Sequence, residues 1–173
     1  MPIPSSIGQG THLYTTTQLA RYAATLENSG TSYDLNLLLR VTDSTGNTVQ
    51  EFEPTVSKTV DIDSSIWDVI RTGMRRVVLA NTAFKDFPVT LYGKTGTAEE
   101  SKTRPNHALF IGYSNYDTND DIAIAVRIAY GYSSTNACVT ARDVLSYYYK
   151  LEDESEIITG KSETEGLSSS VTD

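Results

Sequence analysis

Apolar residues near the start of the chain recur three and four positions apart, the spacing of an amphipathic helix. They follow Thr15 and Gln18, a pair with the spacing of a capping box, and the pattern stops at the turn residues Asn28–Gly30. The sequence therefore predicts a first helix between these two signals. Its apolar stripe is formed by Leu19, Tyr22, Ala23 and Leu26.

Two later stretches show the same helical spacing and predict helices over Ser64–Leu79 and Ala137–Tyr149. The start of the second helix is assigned to Ser65, with Asp68 placed favourably for the helix dipole. Asn136 is interpreted as the cap of the last helix. The apolar stripes are Ile66, Val69, Ile70, Met74, Val77 and Val78 in the second helix, and Ala141, Val144, Leu145 and Tyr148 in the last.

Runs of β-branched, aromatic and aliphatic residues predict a small hairpin and a three-stranded meander. The last run of the meander is apolar on both faces, which is typical of a central strand covered on both sides. Helices and antiparallel strands together indicate the α+β class. The hairpin strands are Asp34–Val41 and Thr48–Phe52, and the meander strands are Val89–Thr97, Ala108–Tyr113 and Ile122–Tyr130.

The composition limits the function. With 173 residues, of which 39% are hydrophobic and 21% charged, the chain is expected to form one packed domain. The net charge of −8 argues against nucleic acid as a partner, because no basic surplus exists to neutralise phosphates. Much of the acid lies in residues 151–173, which hold seven acids against Lys161. We therefore expect a domain over residues 1–150 and an acidic, disordered tail over residues 151–173.

Few residues are available for metal or redox chemistry. The single cysteine, Cys138, excludes an internal disulfide, and with only two histidines we expect neither a metal site nor a cofactor. Cys138 is interpreted as a small buried residue and Trp67 as a packing residue. For His107, at a predicted strand start, we expect a structural hydrogen bond rather than a catalytic role. No apolar run reaches the length of a membrane span.

The strongest chemical signal is the sequence Lys94-Thr95-Gly96-Thr97 at the end of the first meander strand. A lysine supplies a fixed positive charge for an anionic substrate group, and a threonine hydroxyl donates to a carboxylate. A glycine lets a substrate backbone lie against the strand. The alternative interpretation is an edge strand that leaves through a glycine turn, with the lysine protecting the edge against aggregation.

Further segments accompany this motif along the chain: Ile7–Gly10, Thr15–Leu26, Gly73–Val78, Gly93–Glu99 and His107–Tyr113. In this order they resemble the class B penicillin-binding proteins, the monofunctional D,D-transpeptidases of bacterial cell-wall synthesis. Two features depart from that family: Thr16 stands where proline is usual, and no serine is followed three residues later by lysine. Sequences like the family's second motif occur only at Ser134–Asn136 and Tyr113–Asn115, after the lysine motif instead of before it.

The resemblance implies the C-terminal half of a transpeptidase domain of the penicillin-binding and β-lactamase-like fold. Lys94 and Thr97 are then catalytic, and Lys94, Thr95, Gly96 and Thr97 bind the substrate. The implied partners are a peptidoglycan stem peptide, β-lactam antibiotics and the N-terminal half of the same domain. The resemblance also implies that the protein acts outside the cytoplasmic membrane and that the parent protein has a membrane anchor. This chain alone is expected to be inactive, and either marginally stable or self-associating. The alternatives are a non-catalytic binding module and a structural domain with an accidental motif.

Overall fold

The computed structural model describes residues 8, 10, 13–116 and 121–158. Over these residues, three long helices and a three-stranded sheet form the body of the molecule, and a long antiparallel arm extends from it. The helices are α1 (Thr16–Glu27), α2 (Ser64–Ala80), α3 (Ser134–Tyr148) and the short α4 (Glu154–Ile157), with a 3₁₀ turn at Thr82–Phe84. The strands are β1 (Thr31–Tyr33), β2 (Arg40–Thr42), β3 (Thr48–Glu51), β4 (Val56–Thr59), β5 (Thr90–Ala98), β6 (His107–Asn115) and β7 (Ala123–Ile128).

The start of α1 is the reciprocal capping box that the sequence predicts. The Gln18 backbone N–H donates to the Thr15 hydroxyl at 3.1 Å, and the Thr15 N–H donates to the Gln18 side-chain carbonyl at 2.9 Å. Two N–H groups that the helix leaves without partners are thereby satisfied. The departure at Thr16 from the family's usual proline therefore leaves the helix start intact.

The predicted start of α2 at Ser64 is confirmed, but its predicted cap is wrong by two residues, and the predicted start and cap of α3 are wrong by three. Asp63 caps α2, because its carboxylate accepts the Ser65 N–H at 2.8 Å. Ser133 caps α3 by accepting the Thr135 N–H at 3.2 Å, whereas Asn136 lies in the first turn and donates its amide to the Gly131 carbonyl. In both cases the side chain of the residue just before the helix accepts a backbone N–H of the first turn. The apolar pattern inside the helix does not identify this capping residue.

The antiparallel meander β5–β6–β7 is confirmed, and so is the predicted cover on both faces of its last strand. Among the described residues, β6 is the central strand of this sheet and β7 lies at one edge of it. β7 is nevertheless apolar on both sides because α1 packs against it and α3 also packs against it. The apolar pattern shows that both faces of β7 are packed against other elements. Such packing does not require that β7 also pairs with a strand along each of its edges.

The core consists of two clusters separated by the sheet. One contains Phe110 of β6, Leu91 of β5 and Leu145 of α3, all fully buried, together with Cys138. The other contains Trp67 and Met74 of α2 with Leu26 and Tyr113. Trp67 and Cys138 are therefore packing residues, as predicted. The predicted stripe of α3 is only partly buried: Ala141 and Leu145 are buried, but Val144 and Tyr148 are about half exposed.

The arm runs from β1 to β4 and contains the predicted hairpin. β1 pairs with β4 and β2 pairs with β3, both antiparallel, with a register shift in each pair. The predicted strand Asp34–Val41 is too long, because β2 begins only at Arg40. Leu35, Leu37 and Leu38 are exposed, so no apolar contact holds that segment in a strand.

The predicted tail, residues 151–173, falls only partly within the described chain. Residues 151–158 follow α3 directly and include α4, and the Leu151 N–H donates to the Ser146 carbonyl at 2.9 Å. Residues 159–173 lie outside the described residues, as do residues 117–120 between β6 and β7 and most of the segment Ile7–Gly10. The division between a domain and an acidic tail stays a prediction.

Candidate functional site

The motif Lys94–Thr97 lies in the second half of β5, at one edge of the described sheet. Within the described chain, β6 is the only strand that pairs with β5, from Thr90 opposite Asn115 to Ala98 opposite His107. Helix α2 packs against β5, and the Arg75 guanidinium donates to the Leu91 carbonyl at 3.0 Å. The strand edge therefore has a helix contact before the motif and, among the described residues, no strand partner along it.

Alternation along β5 separates the motif's side chains. Lys94 projects from the same face as Tyr92, whereas Thr95 and Thr97 project from the face of the buried Leu91. Lys94 is exposed, and its ammonium donates to the carbonyl of Thr95 at 2.7 Å. The ammonium and the two hydroxyls therefore share a strand edge rather than a face, and a ligand that reaches both must lie along that edge.

The glycines of the sheet differ in how closely other atoms approach the position that a Cβ would occupy. A Cβ at Gly93 would lie 2.4 Å from the Phe110 ring, and a Cβ at Gly112 would lie 2.5 Å from the Tyr92 carbonyl, so both are required by packing. A Cβ at Gly96 would only touch Leu109, at an ordinary 3.5 Å. Within the described chain, packing does not require a glycine at this position of the motif.

A polar cluster anchors the connection that follows the motif. The His107 Nε2 lies 2.9 Å from a Glu100 carboxylate oxygen, and His107 Nδ1 accepts the Tyr130 N–H at 3.1 Å. The Tyr130 hydroxyl donates to the same carboxylate oxygen at 3.2 Å and accepts from Arg104 at 2.7 Å. The hydrogen bond from His107, and then that from Tyr130, lowers the pKa of Glu100. His107 thus has the structural role that the sequence predicts.

Sequence reasoning missed Glu100 and Tyr130. Tyr130 adopts a left-handed φ of 55°, unfavourable for a tyrosine, at the end of the turn after β7. Because its hydrogen bonds join three separate segments, no local pattern reveals them. Glu99, which the sequence places beside the motif, is exposed.

The two asparagines that resemble the family's second motif are distant in register from the lysine. Asn115 pairs with Thr90 at the far end of β5, and its side chain contacts Asp121. Asn136 holds the Gly131 carbonyl at the start of α3. Neither side chain makes a hydrogen bond to Lys94.

Residues 4–145 match the family described as "Penicillin binding protein transpeptidase domain". The chain is 29% identical over 165 residues to penicillin-binding protein 2A of Bacillus subtilis, covering 83% of the chain and 23% of that protein. It is 27% identical over 167 residues to the peptidoglycan D,D-transpeptidase MrdA of Haemophilus influenzae, covering 84% of the chain and 25% of that protein. The chain thus spans about a quarter of the length of these relatives.

The fold agrees with solved structures. An imipenem acyl-enzyme complex of penicillin-binding protein A from M. tuberculosis superposes with a TM-score of 0.72 at 23% identity, over 84% of this chain and 33% of that one. The family match covers well over half of the sequence. The chain therefore belongs to the penicillin-binding protein transpeptidase family, and it represents part of that domain. Within the described residues, no helix is long and apolar enough to cross a membrane.

Proposed function

We propose that this chain supplies the substrate-binding and oxyanion side of a peptidoglycan D,D-transpeptidase that β-lactams acylate. The observation that supports it is that no strand of the described chain pairs with the outer edge of β5, where the exposed Lys94 lies, in a member of the transpeptidase family. An open strand edge accepts an extended peptide as an additional strand. The lysine beside it supplies the positive charge that a peptide's terminal carboxylate requires.

Each motif residue has a separate role in this proposal. The Lys94 ammonium attracts the terminal carboxylate, and the hydroxyls of Thr95 and Thr97 donate hydrogen bonds to it. Gly96 lets the peptide backbone approach the strand. The Thr97 backbone N–H donates to the oxyanion that forms when the penultimate carbonyl is attacked.

The nucleophile comes from outside this chain, because the sequence contains no Ser-x-x-Lys. An activated serine attacks the penultimate D-Ala carbonyl, the peptide bond breaks, and the terminal D-Ala leaves with a proton on its amine. An amine of a neighbouring stem peptide then takes the acyl group, or a β-lactam traps the serine. The chain alone is inactive in this scheme, and it acts beside the N-terminal half of its domain on the outer face of the cytoplasmic membrane.

Peptide binding by the chain tests the first part of this proposal. We expect N-acetyl-D-Ala-D-Ala to shift the backbone amide NMR signals of Lys94–Thr97, and the Lys94→Ala variant to weaken that binding about tenfold. Lys85→Ala is the matched control, because it removes an exposed lysine that lies before β5. Shifts that spread over the whole surface, or equal losses in both variants, would contradict a site on β5.

A non-catalytic module that binds wall peptide or a protein partner is the second candidate, and it would use the same edge of β5 beside the exposed Lys94. Co-expression with a segment that carries the nucleophile separates the two. Labelling of the reconstituted pair by a fluorescent penicillin, lost on Lys94→Ala, supports the transpeptidase. Peptide binding without labelling supports the binding module.

A further inference from the structure

An open cavity of about 490 Å³ lies beside α2, next to the first half of β5. Its wall is a stripe of α2 side chains one turn apart, and Tyr92 of β5 lies opposite. We call this cavity the arginine groove, because Arg71, Arg75 and Arg76 all line it. Tyr92 stacks on Tyr113, with ring centroids 5.0 Å apart and planes within 11°, so the wall opposite α2 is fixed by the core.

The charge of the groove is opposite to that of the protein. Its lining contains three guanidinium groups and one carboxylate, that of Asp68, whereas the chain as a whole carries −8. Asp68 lies 3.4 Å from Arg71, which also donates to the Glu27 carbonyl and to the Ser29 hydroxyl. Arg71 is therefore occupied by the protein itself.

Arg75 and Arg76 differ from Arg71 in this respect. In the part of the chain that the structure covers, no carboxylate forms a salt bridge with either of them. Arg75 is half-buried and donates one N–H to the Leu91 carbonyl, while its other N–H groups find no acceptor among the described residues. A guanidinium has five N–H donors in a rigid plane, so the bond to Leu91 orients Arg75 and leaves donors for a ligand.

We propose that the arginine groove binds an oxyanion, which is the carboxylate or phosphate group of a ligand. The transpeptidase chemistry described above does not require this ligand. Arg75 and Arg76 donate paired hydrogen bonds to it, the arrangement in which arginine is preferred over lysine. Tyr92 and Leu79 provide apolar contacts for the rest of the ligand. Because Tyr92 and Lys94 are two residues apart on one face, the groove begins about 7 Å along β5 from the motif.

Binding of two probe anions to the full chain tests this inference. We expect pyrophosphate or citrate to shift the NMR signals of the Arg75 and Arg76 Nε–Hε groups saturably, and Arg76→Gln to weaken the binding about tenfold. Tighter binding of pyrophosphate supports a phosphate ligand, and tighter binding of citrate supports a carboxylate. Asp68→Asn should strengthen binding several-fold, because it removes the one carboxylate that lines the groove.

Arg40→Gln is the matched control, since Arg40 is exposed on the arm and its loss changes the net charge equally. Lys94→Ala separates the groove from the motif, and binding should survive it unchanged. An equal loss in Arg40→Gln, or no saturable shift with either anion, overturns the inference. Loss in Lys94→Ala with none in Arg76→Gln also overturns it, while the proposed peptide site on β5 would stand.

Discussion

The α-carbon of Gly93 lies against the ring of Phe110, so that a methyl group at residue 93 would meet that ring at 2.4 Å. Phe110 is fully buried and Gly93 is buried beside it. The ring cannot move away without disturbing the first core cluster. A glycine three residues later, Gly96, has no such neighbour. One strand therefore contains a glycine that the fold requires and a glycine that the fold does not require.

Gly93→Ala should lower the free energy of unfolding by about 1–3 kcal/mol, the usual cost of overpacking. Gly96→Ala should leave stability within about 0.5 kcal/mol of the wild type and should weaken binding of N-acetyl-D-Ala-D-Ala, because the added methyl group keeps the peptide away from the strand. Urea denaturation measures the first quantity and an NMR titration the second. Equal stability losses in the two variants would show that packing also requires Gly96.

Neighbouring residues of α3 provide a second test of the packing. Leu145 is fully buried and Val144 is 47% exposed. Leu145→Ala should cost about 2–5 kcal/mol, as is usual for a cavity in a core, whereas Val144→Ala should cost less than about 1 kcal/mol. Urea denaturation of both variants measures the difference. A large loss at Val144 would mean that this side of α3 is covered in solution.

Parts of the fold that depend on a few neighbouring residues could be predicted from the sequence. The capping box of Thr15 and Gln18 is an example, because its two hydrogen bonds span only three positions. The motif Lys94–Thr97 was likewise placed correctly on a strand. Which edge of the sheet that strand occupies depends on the pairing of all three strands, and no short stretch of sequence records that pairing.

Features that join distant segments could not be predicted. Glu100, His107 and Tyr130 belong to three separate segments, so their hydrogen bonds appear only once the chain is folded. The arginine groove likewise requires α2 to lie beside β5, and the sequence shows its three arginines only as the polar side of a helix. The pattern predicts a strand at Leu35, Leu37 and Leu38 because these residues are apolar. It does not show that their side chains are exposed in the folded chain.

The turn of the arm should titrate at an unusually low pH. The Asp43 carboxylate accepts hydrogen bonds from the Thr45 hydroxyl and from the backbone N–H groups of Asn47 and Thr45, which lower its pKa from 3.8 to about 2. Because the folded-state pKa is depressed, the contribution of the carboxylate to stability is present above about pH 4 and is lost as the pH falls through about 2.

An NMR titration of the Asp43 carboxyl carbon measures this value. We expect a midpoint near pH 2, and we expect Thr45→Val to raise it, because the Thr45 hydroxyl makes the largest contribution. Ser44→Ala is the control in the same turn and should leave the midpoint unchanged. A wild-type midpoint close to the ordinary aspartate value would show that these hydrogen bonds do not persist in solution.

The surface of α3 should promote self-association. Val139, Val144, Tyr147 and Tyr148 are all more than 40% exposed on this one helix, and the β5 edge has no strand partner in the described chain. We expect sedimentation velocity to show a weight-average mass that rises with concentration, and Val144→Glu to reduce the rise. A monomer at all concentrations, with a high and cooperative melting transition, would contradict the predicted marginal stability and association.

The hydroxyl of Tyr113 is buried and has no hydrogen-bond partner in the described chain. Burial raises the pKa of this phenol to about 12. A buried polar group without a partner costs stability, so Tyr113→Phe should leave the free energy of unfolding unchanged or raise it by about 1 kcal/mol. In a spectrophotometric titration, the ionisation near pH 12 should also be missing from this variant.

Tyr92→Phe is the control, because it keeps the stacked ring pair and leaves the Tyr113 hydroxyl in place. A loss of more than about 1 kcal/mol in Tyr113→Phe would show that the hydroxyl has a hydrogen-bond partner in solution.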